Sequence, residues 1–475
     1  MKILFTHAYF MANDAREQVV KKPYPPLGLL YLSAWLEENG FENEVFDTTF
    51  SNQNVQRNFI VNFQPAIIAI YTNLMTKIEV IQLIEFIHTQ FTENTPLVVV
   101  GGPDVTYNVD NYLHAGADIL VIGEGENTML EICAAHQQKL WPDFYHVDGI
   151  AFTTREGTIH QTKPRQKIGN LDELPLPNRN KIDLASYLEM WKTNHGYSTI
   201  SVSTQRGCPY TCKWCSTAVY GQSYRRRSPE KVVEELIALK HLYQPDKIWF
   251  VDDVFTVSHK WLSAFRDEVK SKNALVPFEC ITRADRLTED AIVMLKEAGC
   301  FRVWIGAESG SQKILDAMDR RVDATQVQKM IRTANAHHIE TGTFIMVGYP
   351  GENDEDIVQT LHHLKTANPD IFTITITYPI KGTALDNEVE ILKKPLQDWK
   401  NTTDRQADFQ RTYPSLYYKL AVRWIINSMS FHKCSLKQKL SLKLVVTRFK
   451  ILILRIGMKL LILFKTREAQ LNSSQ

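Results

Sequence analysis

Two successive β/α domains are predicted for this chain, an open doubly wound parallel sheet followed by a partial (β/α)6 barrel, with a helical basic C-terminal region behind them. Three observations predict this α/β class. Near-continuous apolar runs alternate with helical stretches up to about residue 140, six more such runs follow from residue 199, and the alternation ends after residue 385, where bases come to outnumber acids. Apolar runs without polar alternation mark strands of a parallel sheet covered on both faces.

In the first domain, assigned to residues 1–140, the strand-like runs are KILFTHA, NEVFDTT, PAIIAIYT, PLVVVGG and DILVIGEGE. Helical stretches such as 27–39, which stops at Gly40, and 79–89 separate several of them. Five strands in this length fit a doubly wound sheet of flavodoxin type. Residues 141–192 hold Pro164, Pro175 and Pro177 and are expected to form a connector with a small hairpin around 150–159. The barrel, assigned to 193–390, carries TISVST, KIWFVDD, FECITRA, FRVWIGAES, GTFIMVGYP and DIFTITITY, with helices such as 229–243 and 289–298 between them. Residues 391–475 form the helical basic region.

At 475 residues, with 44% hydrophobic and 23% charged content, the chain reads as a multidomain globular protein. Its net charge of +1 hides an asymmetry. Residues 409–467 hold thirteen Lys or Arg and no Asp or Glu, which leaves −12 on the remainder. This argues against a uniformly basic nucleic-acid binder, and no nucleic-acid partner is expected. Seven cysteines in so long a chain do not make a disulfide framework, and MKILFTHAYF reads as a strand rather than a signal peptide, so the cytoplasm is the expected compartment.

The segment 205–220, QRGCPYTCKWCSTAVY, places Cys208, Cys212 and Cys215 at CxxxCxxC spacing. At this cysteine content such spacing arises by chance about once in several hundred chains, so it carries information. Pro209 makes the segment a loop rather than a continuous helix, and a loop can wrap three thiolates around one metal centre. Soft thiolates favour zinc or iron–sulfur. Structural zinc wants four protein ligands, usually as two close pairs, and only Cys212 and Cys215 form such a pair, so zinc would need a distant fourth ligand. A four-iron cluster held by three cysteines keeps one iron open.

This loop, placed after the first strand of a β/α barrel and with Trp214 before its last cysteine, resembles that of the radical S-adenosylmethionine (SAM) superfamily. The resemblance implies a [4Fe-4S] cluster whose open iron chelates the amino and carboxylate groups of SAM, reductive cleavage to a 5′-deoxyadenosyl radical, and an electron donor such as flavodoxin or ferredoxin. It also implies roles at the barrel's strand ends. Asp252 and Asp253 are placed to hold the methionine amine, Arg283 the carboxylate, Glu308 and Ser309 the ribose hydroxyls, and Gly348 in the GYPGE turn the adenine. Each feature alone is weak, since an Asp pair often caps a helix and a Gly-Tyr-Pro-Gly run is often a plain turn. All of them lie at the C-terminal strand edge, where barrel enzymes build their sites.

The first domain resembles the cobalamin-binding domain of one large branch of that superfamily, through PPLGLLYLSAWLEENGFENEVFD, VVVGGPDVT and DILVIGEGENT. A ligand there belongs at the C-terminal strand ends, at Thr72, Asn73, Gly101, Gly102, Glu124 and Gly125, where glycines admit a flat macrocycle. No Asp-x-His-x-x-Gly follows the first strand, and His7 is expected to be a polar lining residue rather than a cobalt ligand.

The stretch 435–464 is apolar with regularly spaced bases, too often interrupted to span a bilayer. Lys437, Arg448, Arg455 and Lys459 fall on one side of a helical wheel, and Lys439, Lys443, Lys450 and Lys465 nearly opposite. Peripheral contact with the inner face of the membrane is expected, against docking on the acidic body. The leading function is a cobalamin-dependent radical SAM methyltransferase acting on a small or lipid-like substrate. An oxidative cyclase of a tetrapyrrole-like substrate is the alternative within the class, and a non-catalytic iron–sulfur redox or sensor protein the alternative outside it. A methylthiotransferase acting on RNA is disfavoured by the acidic body and the lack of a second three-cysteine cluster.

Overall fold

Strands β1 (Ile3–His7), β2 (Asn43–Phe46), β3 (Ile67–Tyr71), β4 (Leu97–Gly101) and β5 (Ile119–Val121) pair in parallel in the order β2-β1-β3-β4-β5. The computed structural model that shows this describes residues 1–139, 144–216, 219–393, 398–403, 406–436 and 442–473. The apolar runs explain the layering. Ile67 and Ala69 face one core and Ile68 and Ile70 the other, and Leu97 and Val99 alternate in the same way with Val98 and Val100. With period-two side chains, a run of apolar residues buries both faces at once.

The hairpin expected in the connector is β6 (Ile150–Thr153) and β7 (Ile159–Gln161), and it extends the first sheet, β6 lying antiparallel to β5. The proline-rich stretch is followed by a helix, Leu184–His195, capped by Asp183 and stopped by Gly196 at φ +77°.

The second sheet contains β8 (Thr199–Val202), β11 (Lys247–Phe250), β12 (Phe278–Thr282), β13 (Cys300–Glu308), β14 (Glu340–Val347) and β15 (Ile371–Ile376), all parallel and in sequential order. Two short strands, β9 (Gln205–Arg206) and β10 (Arg225–Arg226), pair antiparallel beside it. Among the described residues β8 and β15 are the outer strands and do not pair with each other, so the barrel is partial. Ile200, Val202, Ile248, Phe250, Val303 and Ile305 pack against the helices, while Trp304 and Phe344 stack at 5.0 Å on the opposite face, with Trp249 beside them.

The C-terminal region forms two helices, Ser415–Leu436 and Leu442–Ser473, packed on each other. The first buries Tyr417, Tyr418, Ala421, Ile425 and Met429 against the barrel's helices. Lys437 and Lys439 lie outside the described residues, as does the side chain of Lys443. Among the described residues no helix is long and apolar enough to cross a membrane.

Candidate active site

A cavity of about 660 Å³ opens between the two domains. On one side are the ends of β1, β3 and β4 and the loop after β5, with His7, Asn73, Gly101, Gly102, Glu124 and Gly125. On the other are Cys208, Asp252 and Asp253 of the barrel. Both sheets therefore present the C-terminal ends of their strands to one space, where α/β folds bind ligands.

The cysteine loop runs from β9 to β10. Gly207 enters it at φ +82°, and a Cβ there would sit 2.3 Å from the Ser223 carbonyl oxygen, so only glycine fits. Cys208 and Cys212 are half-buried and Cys215 keeps solvent contact. The protein packed around Cys215, with Asp253 and the other two thiols, pushes its thiol up to about 12, and burial likewise raises Cys208. Three thiolates beside a carboxylate repel one another, and a metal centre reverses that balance by holding thiols deprotonated. Two guanidinium groups add positive charge, Arg283 Nη1 lying 3.5 Å and Arg320 Nη1 3.6 Å from Cys212 Sγ. Among the described residues no three His, Cys, Asp or Glu side chains converge on a single point. What suits this loop to a cluster is its set of three soft donors and the surrounding charge.

The other barrel residues divide into two groups. Asp253 is exposed to the cavity, and burial followed by the neighbouring Asp252 raises its carboxyl above the usual range. Asp252 is 2% exposed and accepts from the Thr204 N–H at 2.8 Å, the Gln205 N–H at 3.1 Å and the Thr204 hydroxyl, so much of its capacity braces the chain that leads to the cysteines. Arg283 is buried, donating to Asp285 at 2.8 Å and the Arg320 carbonyl at 2.7 Å. Glu308 is buried at the register irregularity that ends β13, in the left-handed region at φ +61°, with Arg320 at 3.8 Å. A non-glycine residue held there is strained, as residues of functional sites often are.

Three residues turn away from the cavity. Ser309 is fully buried and bonded to Thr360 at 3.3 Å and the Ser311 N–H at 3.1 Å. Gly348, at φ +81°, packs against Arg411 and Tyr418 of the C-terminal region. Trp214 packs in a satellite core with Met318 and Tyr349, where it holds the cysteine loop.

On the first domain's side, Gly102 is at φ +122°, and a Cβ there would meet the Thr72 carbonyl oxygen at 2.1 Å, so the close approach of strand ends requires glycine. Asn73 lines the cavity but spends its side-chain oxygen on the N–H groups of Met75 and Thr76, at 2.8 and 3.1 Å. Thr72 is fully buried against the Tyr112 hydroxyl, 3.0 Å away. His7 has both ring nitrogens engaged, Nε2 with Asp47 at 2.9 Å and Nδ1 with the Tyr9 N–H at 3.1 Å. It lines the cavity as a held polar residue.

Sequence reasoning missed the charges that join the domains. Glu124 Oε1 lies 2.7 Å from Arg225 Nη1 and 3.8 Å from Arg206 Nη1, Glu124 Oε2 accepts from the Ile168 N–H at 2.7 Å, and Glu126 accepts from Arg206 Nη2. Glu124, expected at the ligand, is instead largely committed to this clamp. The signal was a GEGE turn facing an Arg directly before the cysteines.

Residues 202–364 match the family model of the radical SAM superfamily and residues 17–133 that of the B12 binding domain. An uncharacterized methyltransferase of Pyrococcus horikoshii is 29% identical over 381 residues, covering 78% of this chain and 80% of the other. The anaerobic magnesium-protoporphyrin IX monomethyl ester cyclase of Rubrivivax gelatinosus is 24% identical over 78% of this chain and 67% of its own. Among solved structures, the cobalamin-dependent S-adenosylmethionine radical enzyme OxsB with aqua-cobalamin bound superposes with a TM-score of 0.76 at 16% identity, covering 95% of this chain and 72% of that one. At that identity the likeness is one of fold.

Proposed function

As a radical SAM enzyme with an N-terminal B12-binding domain, this chain, we propose, uses cobalamin to methylate an unactivated carbon of a small or lipid-like substrate. One observation carries the reading. The strand ends of the B12-binding domain and Cys208 with Asp253 of the barrel border the same cavity, so a substrate there would face both proposed cofactor sites without changing place.

When bound, the cluster with SAM supplies a carbon-centred radical and the corrinoid a methyl group. Cys208, Cys212 and Cys215 would hold the cluster. Asp253 and Arg283 carry the charges that suit the amine and carboxylate of SAM. Gly101, Gly102 and Gly125 would let the corrinoid approach backbone. Burial holds the phenols of Tyr31 and Tyr71 at about 12, so these cavity walls stay neutral through the physiological range. The enzyme would take its electron from flavodoxin or ferredoxin in the cytoplasm and meet the inner face of the membrane through its C-terminal region.

Cluster-loaded protein with corrinoid, SAM carrying a deuterated methyl group and a candidate lipid fraction tests the reading. Deuterated methyl in the product, dependent on corrinoid, with 5′-deoxyadenosine formed alongside, is expected. Ring closure without methyl incorporation would favour the second reading, an oxidative cyclase, which the cyclase relative supports.

A further inference from the structure

The last helix has two apolar faces, and the body uses one. Met458 is fully buried, and Ile451, Leu454, Leu461 and Ile462 pack against the barrel's helical core. Arg455 forms a fork on Asp354 at 2.6 and 2.8 Å, Lys459 reaches the same carboxylate at 2.7 Å, and Lys465 reaches the Arg411 carbonyl at 3.3 Å. The opposite face carries Val445, Val446, Phe449, Leu452, Ile453, Ile456, Leu460, Leu463 and Phe464, each 45–66% exposed. At about 100° per residue these nine positions fall within an arc of about 120°, centred opposite Met458. Their span of 445–464 makes a strip about 30 Å long. Exposed bases border it on both sides, Arg448 along one edge and Lys450 along the other. Of the bases on the wheel, the exposed Arg448 and Lys450 thus flank a clean outward stripe, while Arg455, Lys459 and Lys465 bond to the body.

We propose that this stripe is a docking surface for an anionic lipid bilayer, with the helix lying flat in the interface. It deepens the membrane contact proposed above and rests on that reading for its purpose, while its residues argue for it independently. Nine large apolar side chains in one line suit burial at the acyl boundary, and the flanking bases lie where phosphate headgroups would be. Charge decides between occupants. With no acid anywhere from 409 to 467, a second copy on this face would bring base against base.

The test is co-sedimentation of the full-length, cluster-loaded protein with vesicles of one part phosphatidylglycerol to two parts phosphatidylcholine. Binding at low salt is expected, at least about tenfold weaker in high salt, where charge is screened within a few ångströms. Leu452→Glu with Ile456→Glu and Leu463→Glu should weaken it at least about 100-fold while iron content and far-ultraviolet dichroism are kept. Should that variant misfold, Arg448→Glu with Lys450→Glu serves instead, losing about tenfold on anionic vesicles. Full-length protein that ignores anionic vesicles at low salt overturns the proposal. So does a wild-type dimer that the triple variant turns into a monomer, which would assign the stripe to a second copy, or to a partner protein if only a protein saturates it. Loss of methyl transfer with vesicle binding intact would count against the proposed reaction and leave this surface standing.

Discussion

Arg225 Nη1 lies 2.7 Å from Glu124 Oε1, so a base beyond the cysteine loop is paired across the domain boundary with the acid that follows β5. Both side chains are buried, at 12% and 3% exposure, and a buried charge that loses its partner is costly. Glu124→Ala should lower stability by about 3–5 kcal/mol. The drop should be read from the denaturant midpoint, and a double-mutant cycle with Arg225→Met should recover part of it.

Cysteine substitutions separate the cluster from the core. Cys208→Ala, Cys212→Ala and Cys215→Ala should each lose the iron and sulfide bound after anaerobic reconstitution, about four of each in the parent. Cys133, Cys280 and Cys300 are buried among apolar side chains. Their serine variants, like that of Cys434, should keep the cluster, and a fourth essential cysteine would contradict the assignment.

His7→Ala should keep corrinoid binding within a few-fold, because Asp47 and the Tyr9 N–H already occupy both ring nitrogens. The reduced cobalt spectrum of the parent should show no imidazole hyperfine coupling. The cost should appear in stability, about 1–3 kcal/mol, since Asp47 loses a buried donor.

Glu352 offers a pH signature. It closes the GYPGE turn with its side chain fully buried, and burial raises its carboxyl to about 8. The folded state thus keeps a proton that the unfolded chain, at an ordinary carboxylate value, gives up. This contribution is fully present below the unfolded value and is lost as pH rises toward 8, at up to ~1.4 kcal/mol per pH unit. Glu352→Gln should flatten the decline of melting temperature across that window and leave the mutant the more stable protein above pH 8.

Both sheets were legible because each strand is an apolar run, and the cysteine loop because its spacing is improbable. Strand-end residues were legible only as positions. Just past a strand end the local backbone decides direction, so Asn73 reaches the cavity while Thr72 is buried, and Glu308, at φ +61°, sits near Arg320 while Ser309 turns inward. The helix Leu184–His195 was hidden by the prolines before it, although Leu184, Tyr187, Leu188 and Trp191 have helical spacing. The pairing of Arg206 and Arg225 with Glu124 and Glu126 depends on how two domains meet, which no local pattern encodes.

That pairing also sets an order of events at the ribosome. Domains fold as units while the chain emerges from its N-terminus, and the first sheet is complete at Gln161, before Cys208, Cys212 and Cys215 are made. Glu124 and Glu126 are then waiting when Arg206 appears, so the nascent thiol loop is moored to a finished domain from its first residues. Arg283 and Arg320, which face Cys212, are translated only with the later barrel strands. Iron and sulfide loading should therefore be a late, post-translational step, and a stalled chain ending before Arg283 should be folded in its first domain yet unable to retain iron.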